Sequence, residues 1–281
     1  MSLRQGTHPL SYDSHTLPWT LESIDFARID KARIRHNEDL FFLLCSSSFV
    51  ESGSDLYTHN LVNHFAGDEA LQTWLSQHWE HEELQHGRAL ATYVRTVWPE
   101  FDWEAGFKAF WNEYGAVCTA EQLEPSRGLE LAARCVVETG TASLYRALND
   151  ITDEPVLKQL TNHIKSDEVR HYKHFYQHYR LYREREGFGR TKVLRAILRR
   201  VNEIKSEDSD IALRHVFNQC YPGGSDAQFR QISNRAQGLL RRNIPAEMTV
   251  KMLLKPLDLP TRVQNALEKP LAKIAEKLFL H

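Results

Sequence analysis

The chain has 281 residues, 42% hydrophobic and 26% charged, with a formal net charge of -2. Such a balance is ordinary for a globular protein and gives no global attraction to nucleic acid or to an anionic membrane. No run of eighteen apolar residues exists, which excludes a spanning helix, and Met1–Leu17 lacks the apolar region of a secretory signal. Cys45, Cys118, Cys135 and Cys220 are scattered, with no Cys-x-x-Cys pair, and read as reduced thiols of a cytoplasmic protein.

Residues 1–33, with Pro9, Pro18 and several turn-formers, read as an irregular arm that wraps a core. A first helix is expected from Glu38 to about Phe65, apolar at Leu40, Phe41, Leu43, Leu44 and Phe49. It carries Glu51, and Ser46, Ser47 and Ser48 leave room one turn earlier for a neighbouring helix or a substrate. Ala66-Gly67-Asp68 reads as a turn, with Asp68 capping a second helix that runs to about Val97 and ends before Pro99. The stretch Trp98–Arg127, including a short helix at Trp103–Tyr114, is long enough to cross a bundle. A third helix (about Leu129–Asn149) and a fourth (about Glu154–Glu186) complete four, over residues 34–186. The fourth ends in Tyr172, Phe175, Tyr176, Tyr179 and Tyr182, whose spacings of three and four mark a packed stripe. After Gly187 and Gly189, residues 187–281 read as further short helices that begin with a basic stretch from Arg190 to Arg200. No strand-like alternation and no glycine-rich phosphate loop occurs, so the fold class is all-α.

Two short stretches organise this pattern, Glu82-Glu83-Leu84-Gln85-His86 and Asp167-Glu168-Val169-Arg170-His171. Each contains Glu-x-x-His, a spacing that puts both side chains on one helix face. Either pair alone would read as exposed helix polarity. Their partners change the reading. Glu51 and Glu83 are equidistant from Gly67 in the first turn, and Glu138 and Glu168 from Asp153 in the second connection. Two antiparallel hairpins would therefore bring a glutamate beside a Glu-x-x-His at equal depth, roughly 24 Å from the first bend at about 1.5 Å per residue. That is the ligand set of a di-iron or di-manganese helix bundle. Four glutamates neutralise two divalent ions, with Glu83 and Glu168 placed to bridge, Glu51 and Glu138 terminal, and His86 and His171 binding one metal each. A zinc protease motif is excluded because His81-Glu82 is followed by Gln85 where the second histidine belongs. A six-histidine oxygen carrier would need more inward histidines than these helices align, although His174, a turn beyond His171, falls near the site.

Glu82-Glu83-Leu84-Gln85-His86-Gly87 resembles the Glu-Glu-x-x-His-Gly motif of the soluble acyl-acyl carrier protein desaturases, and Asp167 to His171 looks like their Asp-Glu-x-Arg-His motif. The resemblance covers about residues 36–182. It implies a ferritin-like four-helix bundle with a long crossover, extended here by C-terminal helices. It also implies two iron ions, or manganese, on Glu51, Glu83, His86, Glu138, Glu168 and His171, and oxygen activation with electrons from a ferredoxin-like donor. Thr141 matches a threonine beside the oxygen-binding face, and Asp167 an acidic residue that orients a ligand imidazole. The function expected is an O2-dependent oxidase of an unactivated C–H bond, a fatty acyl desaturase or a hydroxylase. The alternative is a ferritin relative that stores iron or removes peroxide, because these ligands serve several chemistries. A hydrophobic or acyl substrate would pass Leu44, Ser47, Ser48, Val137, Thr141 and Leu144. The basic 190–200 segment would dock an acidic carrier protein or be an ordinary solvated helix, and a homodimer is expected by the same analogy.

Overall fold

The computed structural model describes residues 17–204 and 208–280; residues 1–16 of the expected arm, residues 205–207 and His281 lie outside the described residues. The helices are α1 (Lys31–Ile34), α2 (Glu38–Ser52), α3 (Asp55–His64), α4 (Glu69–Trp74), α5 (Glu80–Val97), α6 (Trp103–Val117), α7 (Arg127–Ile151), α8 (Pro155–Glu186), α9 (Arg190–Ile204), α10 (Asp208–Cys220), α11 (Asp226–Arg241), α12 (Ala246–Leu254) and α13 (Thr261–Leu280). The described residues contain no strand, and no helix among them is long and apolar enough to cross a membrane.

Side-chain caps set the starts of the bundle helices. Asn37 accepts from the Leu40 amide, Asp68 from Leu71, Asp102 from Ala105 and Ser126 from Leu129, each satisfying an amide that the first turn leaves open. Glu154 caps α8 through the Val156 and Leu157 amides, with Pro155 at the first helical position. Gly187 closes the same helix in the left-handed region at φ 66°.

Helix α2 packs against α5, and α7 against α8, and these two pairs form the bundle. Two apolar clusters fill it. One gathers Leu40–Phe49 of α2, Ala89–Val97 of α5, Tyr145 and Leu148 of α7, and Val156–Ile164 of α8. The other gathers Leu61 of α3, Trp74–Trp79, Leu131–Val136 of α7 and Tyr172–Tyr182 of α8. On α7 and α8 the two clusters lie on either side of the glutamates singled out above, and around Glu51 and Glu83 the first cluster, on α2 and α5, gives way to the second, on α3, α4 and the turn before α5, so the bundle holds a polar layer between two hydrophobic ones.

The first expected helix, Glu38 to Phe65, is two. Ser52-Gly53-Ser54-Asp55 is a run of poor helix formers, and the chain turns at Gly53, whose amide bonds back to Phe49 and Val50. The second helix does run from Glu69 to Val97, but it contains a π turn at Leu75–Trp79 between α4 and α5. The equal spacing of Glu51 and Glu83 about Gly67 therefore does not describe two straight rods.

The C-terminal helices lie against the bundle, α9 and α12 on α7, and α10 on α2 and α6. The tyrosine stripe of α8 anchors part of this layer, since Tyr172 donates to the Met252 carbonyl at 2.7 Å and Tyr179 to Pro256 at 2.5 Å. Much of the basic 190–200 stretch is also engaged internally. Arg190 donates to the Leu257 and Asp258 carbonyls, and Arg199 and Arg200 pair with Glu124, Glu130 and Glu203.

Candidate metal centre

Glu51 comes from the last turn of α2, Glu83 and His86 from α5, Glu138 from α7, and Glu168 and His171 from α8. All six side chains are buried. They form two overlapping groups, Glu51–Glu83–His86–Glu168 and Glu83–Glu138–Glu168–His171, in each of which one donor atom per residue lies within 4.8 Å of the others. Glu83 and Glu168 belong to both groups.

The last turn of α2 can reach α5 because residue 87 is glycine. A Cβ there would meet the Ser52 amide nitrogen at 2.6 Å and its Cα at 2.7 Å. It is a close backbone contact between the two helices, one residue beyond Glu51. Ser48 accepts from the Trp103 indole at 2.8 Å and donates to the Cys45 carbonyl at 2.7 Å.

Each imidazole faces two ways. His86 Nε2 lies 2.9 Å from Asp167 Oδ2, while its Nδ1 lies 3.2 Å from Glu168 and 3.5 Å from Glu51. His171 Nε2 lies 2.7 Å from Glu82 Oε2, while its Nδ1 lies 3.0 Å from Glu83 and 3.5 Å from Glu138. An ionised carboxylate only accepts, so Nε2 carries a proton toward the outer acid, while Nδ1 points into the cluster, protonated without metal and a ligand once a metal ion replaces that proton. The residue before each paired glutamate thus orients the histidine of the opposite helix. Arg170 holds both outer acids, at 2.9 Å from Glu82 and 2.6 Å from Asp167. The Trp19 indole donates to Asp167 at 2.7 Å, and Gln85 donates to the Trp19 carbonyl at 3.0 Å, so the N-terminal segment fastens over this corner.

The donor set fits two cations. Buried atoms Glu51 Oε2, His86 Nδ1, Glu138 Oε1 and Oε2, Glu168 Oε1 and His171 Nδ1 have no hydrogen-bond partner, a costly arrangement unless another ligand meets them. Burial pushes the Glu83 carboxyl well above its ordinary range and Glu138 up to about 8, with the Glu168 charge adding to both. Burial acts on Glu168 too, but the His171 and His86 imidazoles facing it override burial and hold this carboxyl low. Both histidines are held protonated against burial, His86 by Asp167, Glu168 and Glu51, and His171 by Glu138, Glu168, Glu82 and Glu83. Protons here balance charge that two divalent ions would balance better.

Thr141 donates to Glu168 Oε2 at 2.7 Å. Tyr145 donates to Glu51 Oε1 at 2.5 Å. A cavity of about 120 Å³ touches all four glutamates and Thr141, is walled by Val50, Tyr57, Leu61, Trp79 and Val137, and continues past Arg134 to Gln122, Arg200 and Glu203. Of the residues expected to shape a channel, Val137 and Thr141 line it, whereas Leu44, Ser47, Ser48 and Leu144 do not. His174 stacks on Trp74 with ring centroids 3.8 Å apart, and burial and nearby histidines push it down to about 3.

Sequence reasoning missed Glu82, Tyr145, Trp19 and Arg134. Glu82 had a signal, because it occupies in the first motif the position Asp167 occupies in the second. The other three carry none without the packing that brings them in.

No protein-family model matches this chain, and no curated protein matches it in sequence. Solved structures do. An R2-like ligand-binding oxidase variant with an anaerobically reconstituted Mn/Fe cofactor matches with a TM-score of 0.50 at 12% identity, over 92% of this chain and 88% of that one. A second variant, with an aerobically reconstituted Mn/Fe cofactor, gives 0.49 at 13% identity over the same shares. The likeness defines the fold class: a ferritin-like helical bundle of the kind those oxidases have, carrying buried carboxylate and histidine groups able to hold two metal ions.

Proposed function

We propose that this protein is an O2-dependent di-metal oxidase acting on an unactivated C–H bond of a small substrate. One observation carries the reading: two overlapping ligand groups share Glu83 and Glu168 and face a cavity. The Mn/Fe cofactors of the structural neighbours support iron or manganese in this chain, and their description as oxidases supports use of O2.

In this reading Glu51, Glu83, His86 and Glu168 would hold one ion, and Glu83, Glu138, Glu168 and His171 the other. Two redox-active ions would supply electrons and Lewis acidity for O2 chemistry. The protein does the rest. Glu82 and Asp167 fix the imidazole tautomers. Thr141, held by Glu168 at the cavity wall, offers a hydroxyl where a proton must be managed. Trp79, Val50, Leu61 and Val137 add apolar wall to the cavity beside the glutamates and would limit water there. Desaturation and hydroxylation are the two finer outcomes, with electrons from an external ferredoxin-like donor and a homodimeric assembly proposed by analogy with the desaturases.

The test is O2 uptake by iron-loaded protein given a chemical reductant, compared with Glu138→Ala. Uptake of about one O2 per pair of metal ions, lost in the variant, supports an oxidase. Iron accumulating far beyond two per chain, with no O2-dependent change in any small carboxylic or hydrocarbon substrate, would replace it with the iron-storing ferritin relative.

A further inference from the structure

The cavity beside the glutamates has an uneven lining. Besides the glutamates it is lined by Val50, Tyr57, Leu61, Trp79 and Val137, and also by Arg134. Arg134 is 6% exposed and pairs with Glu130, Nε to Oε1 at 3.0 Å. Glu130 itself is fully buried, and it is shared with Arg200 at 3.3 Å and with the Glu124 amide at 2.8 Å. Among the described residues, neither Nη nitrogen of Arg134 has a hydrogen-bond acceptor. Neither is among the sealed, partnerless polar atoms, and Arg134 lines the cavity. A guanidinium tethered through Nε and open at its two Nη groups is in position to take a planar oxyanion.

Arg134 and Glu138 are four residues apart on α7, about 6 Å along the axis at about 1.5 Å per residue. An apolar cavity of about 150 Å³ accommodates benzene. A volume of about 120 Å³ therefore suits a ligand of about half a dozen heavy atoms and not a long acyl chain. We propose that the substrate is a short-chain aliphatic carboxylate of four or five carbons, its carboxylate gripped by Arg134 and its methyl end lying against Val137 and Trp79 beside the metal-binding glutamates. The inference rests on the di-metal oxidase reading for its chemistry, but the grip of Arg134 does not pass through the metals. It also sets orientation: the carboxylate is held away from the metals, and the carbons far from it are the ones presented for reaction.

The test is isothermal titration of valerate, valeramide and palmitate into protein loaded with manganese(II) without O2, so that binding is read without turnover. Metal content is counted on the same samples. Valerate should bind about 10- to 100-fold more tightly than the neutral amide, the scale of hydrogen bonds to a charged group, and palmitate should not compete with it. Arg134→Gln should bring valerate down to the level of the amide while two ions remain bound, and Arg134→Lys should restore part of the difference. Equal binding of valerate and valeramide to the unsubstituted protein overturns the proposal even if the variants fold poorly. So does a preference for valerate that survives Arg134→Gln, which would put the carboxylate on the metals, and so does displacement of valerate by palmitate. A protein that takes up fewer than two ions while still preferring valerate through Arg134 leaves this inference standing and overturns the di-metal reading instead.

Discussion

Glu82 accepts a hydrogen bond from His171 Nε2 at 2.7 Å, across the bundle from the 2.9 Å bond between Asp167 and His86. The two motifs brace each other: α5 supplies the acid that orients the histidine of α8, and α8 returns the same service. Glu82→Ala and Asp167→Ala should each weaken metal binding about 10- to 100-fold although every proposed ligand is intact. Competition against a chelator of known affinity reads this directly. An affinity unchanged in Glu82→Ala would mean the brace is incidental.

Gly87 marks where α2 meets α5. Gly87→Ala forces a Cβ against the Ser52 backbone, which cannot swing aside as a side-chain tip can, and should cost about 1–3 kcal/mol. Gly140 on α7 is the control, since a Cβ there meets nothing within 4 Å. Gly140→Ala should raise stability by about 0.5–1 kcal/mol. Paired urea denaturation of the two variants checks opposite signs in one experiment.

Tyr145 gives Glu51 its one hydrogen bond among the described residues. Tyr145→Phe leaves a buried carboxylate oxygen without a partner, at a cost of about 1–3 kcal/mol in the metal-free protein. The loss should shrink once metal is bound, because an ion then meets the same carboxylate. A loss of the same size with and without metal would separate Tyr145 from the centre.

The raised carboxyls set a pH dependence. Glu138 is pushed up to about 8 and Glu83 also rises, against an ordinary value near 4.5, so between about pH 5 and 8 the folded metal-free protein binds more protons than the unfolded chain. Its stability should fall as pH rises through that window. Glu168 and Asp167, held low, contribute stability that is lost only on the acid side. Metal must displace the protons, so its affinity should rise with pH over the same window. Denaturation midpoints at pH 5.5 and 8 with metal absent, and metal titrations at both, check the two signs.

The ligand layer is legible in the sequence because it depends on local periodicity: Glu83 with His86 and Glu168 with His171 need only one helical turn each. The partnership of Glu138 with Glu168 follows from one short connection between two continuous helices. Glu51 is harder. Its approach to Glu83 depends on the turn at Gly53, the π turn at Leu75–Trp79 and the glycine at 87, and the simple hairpin arithmetic passes over all three. Arg134 and the cavity are not legible at all. They are assembled from α3, the segment after α6, α7 and α9, and no local pattern marks residues that meet only through packing. The position of Trp19 over Asp167 is of the same kind.

The central claim is that these six side chains hold two metal ions, and metal content per chain tests it most directly. Protein refolded without metal, exposed to iron(II) or manganese(II) and freed of excess ions should retain two ions per chain, and Glu83→Ala, which removes a residue common to both ligand groups, should retain fewer than one. Retention of zinc alone, of no ion, or of two ions by Glu83→Ala as well as by the unsubstituted chain would contradict the account.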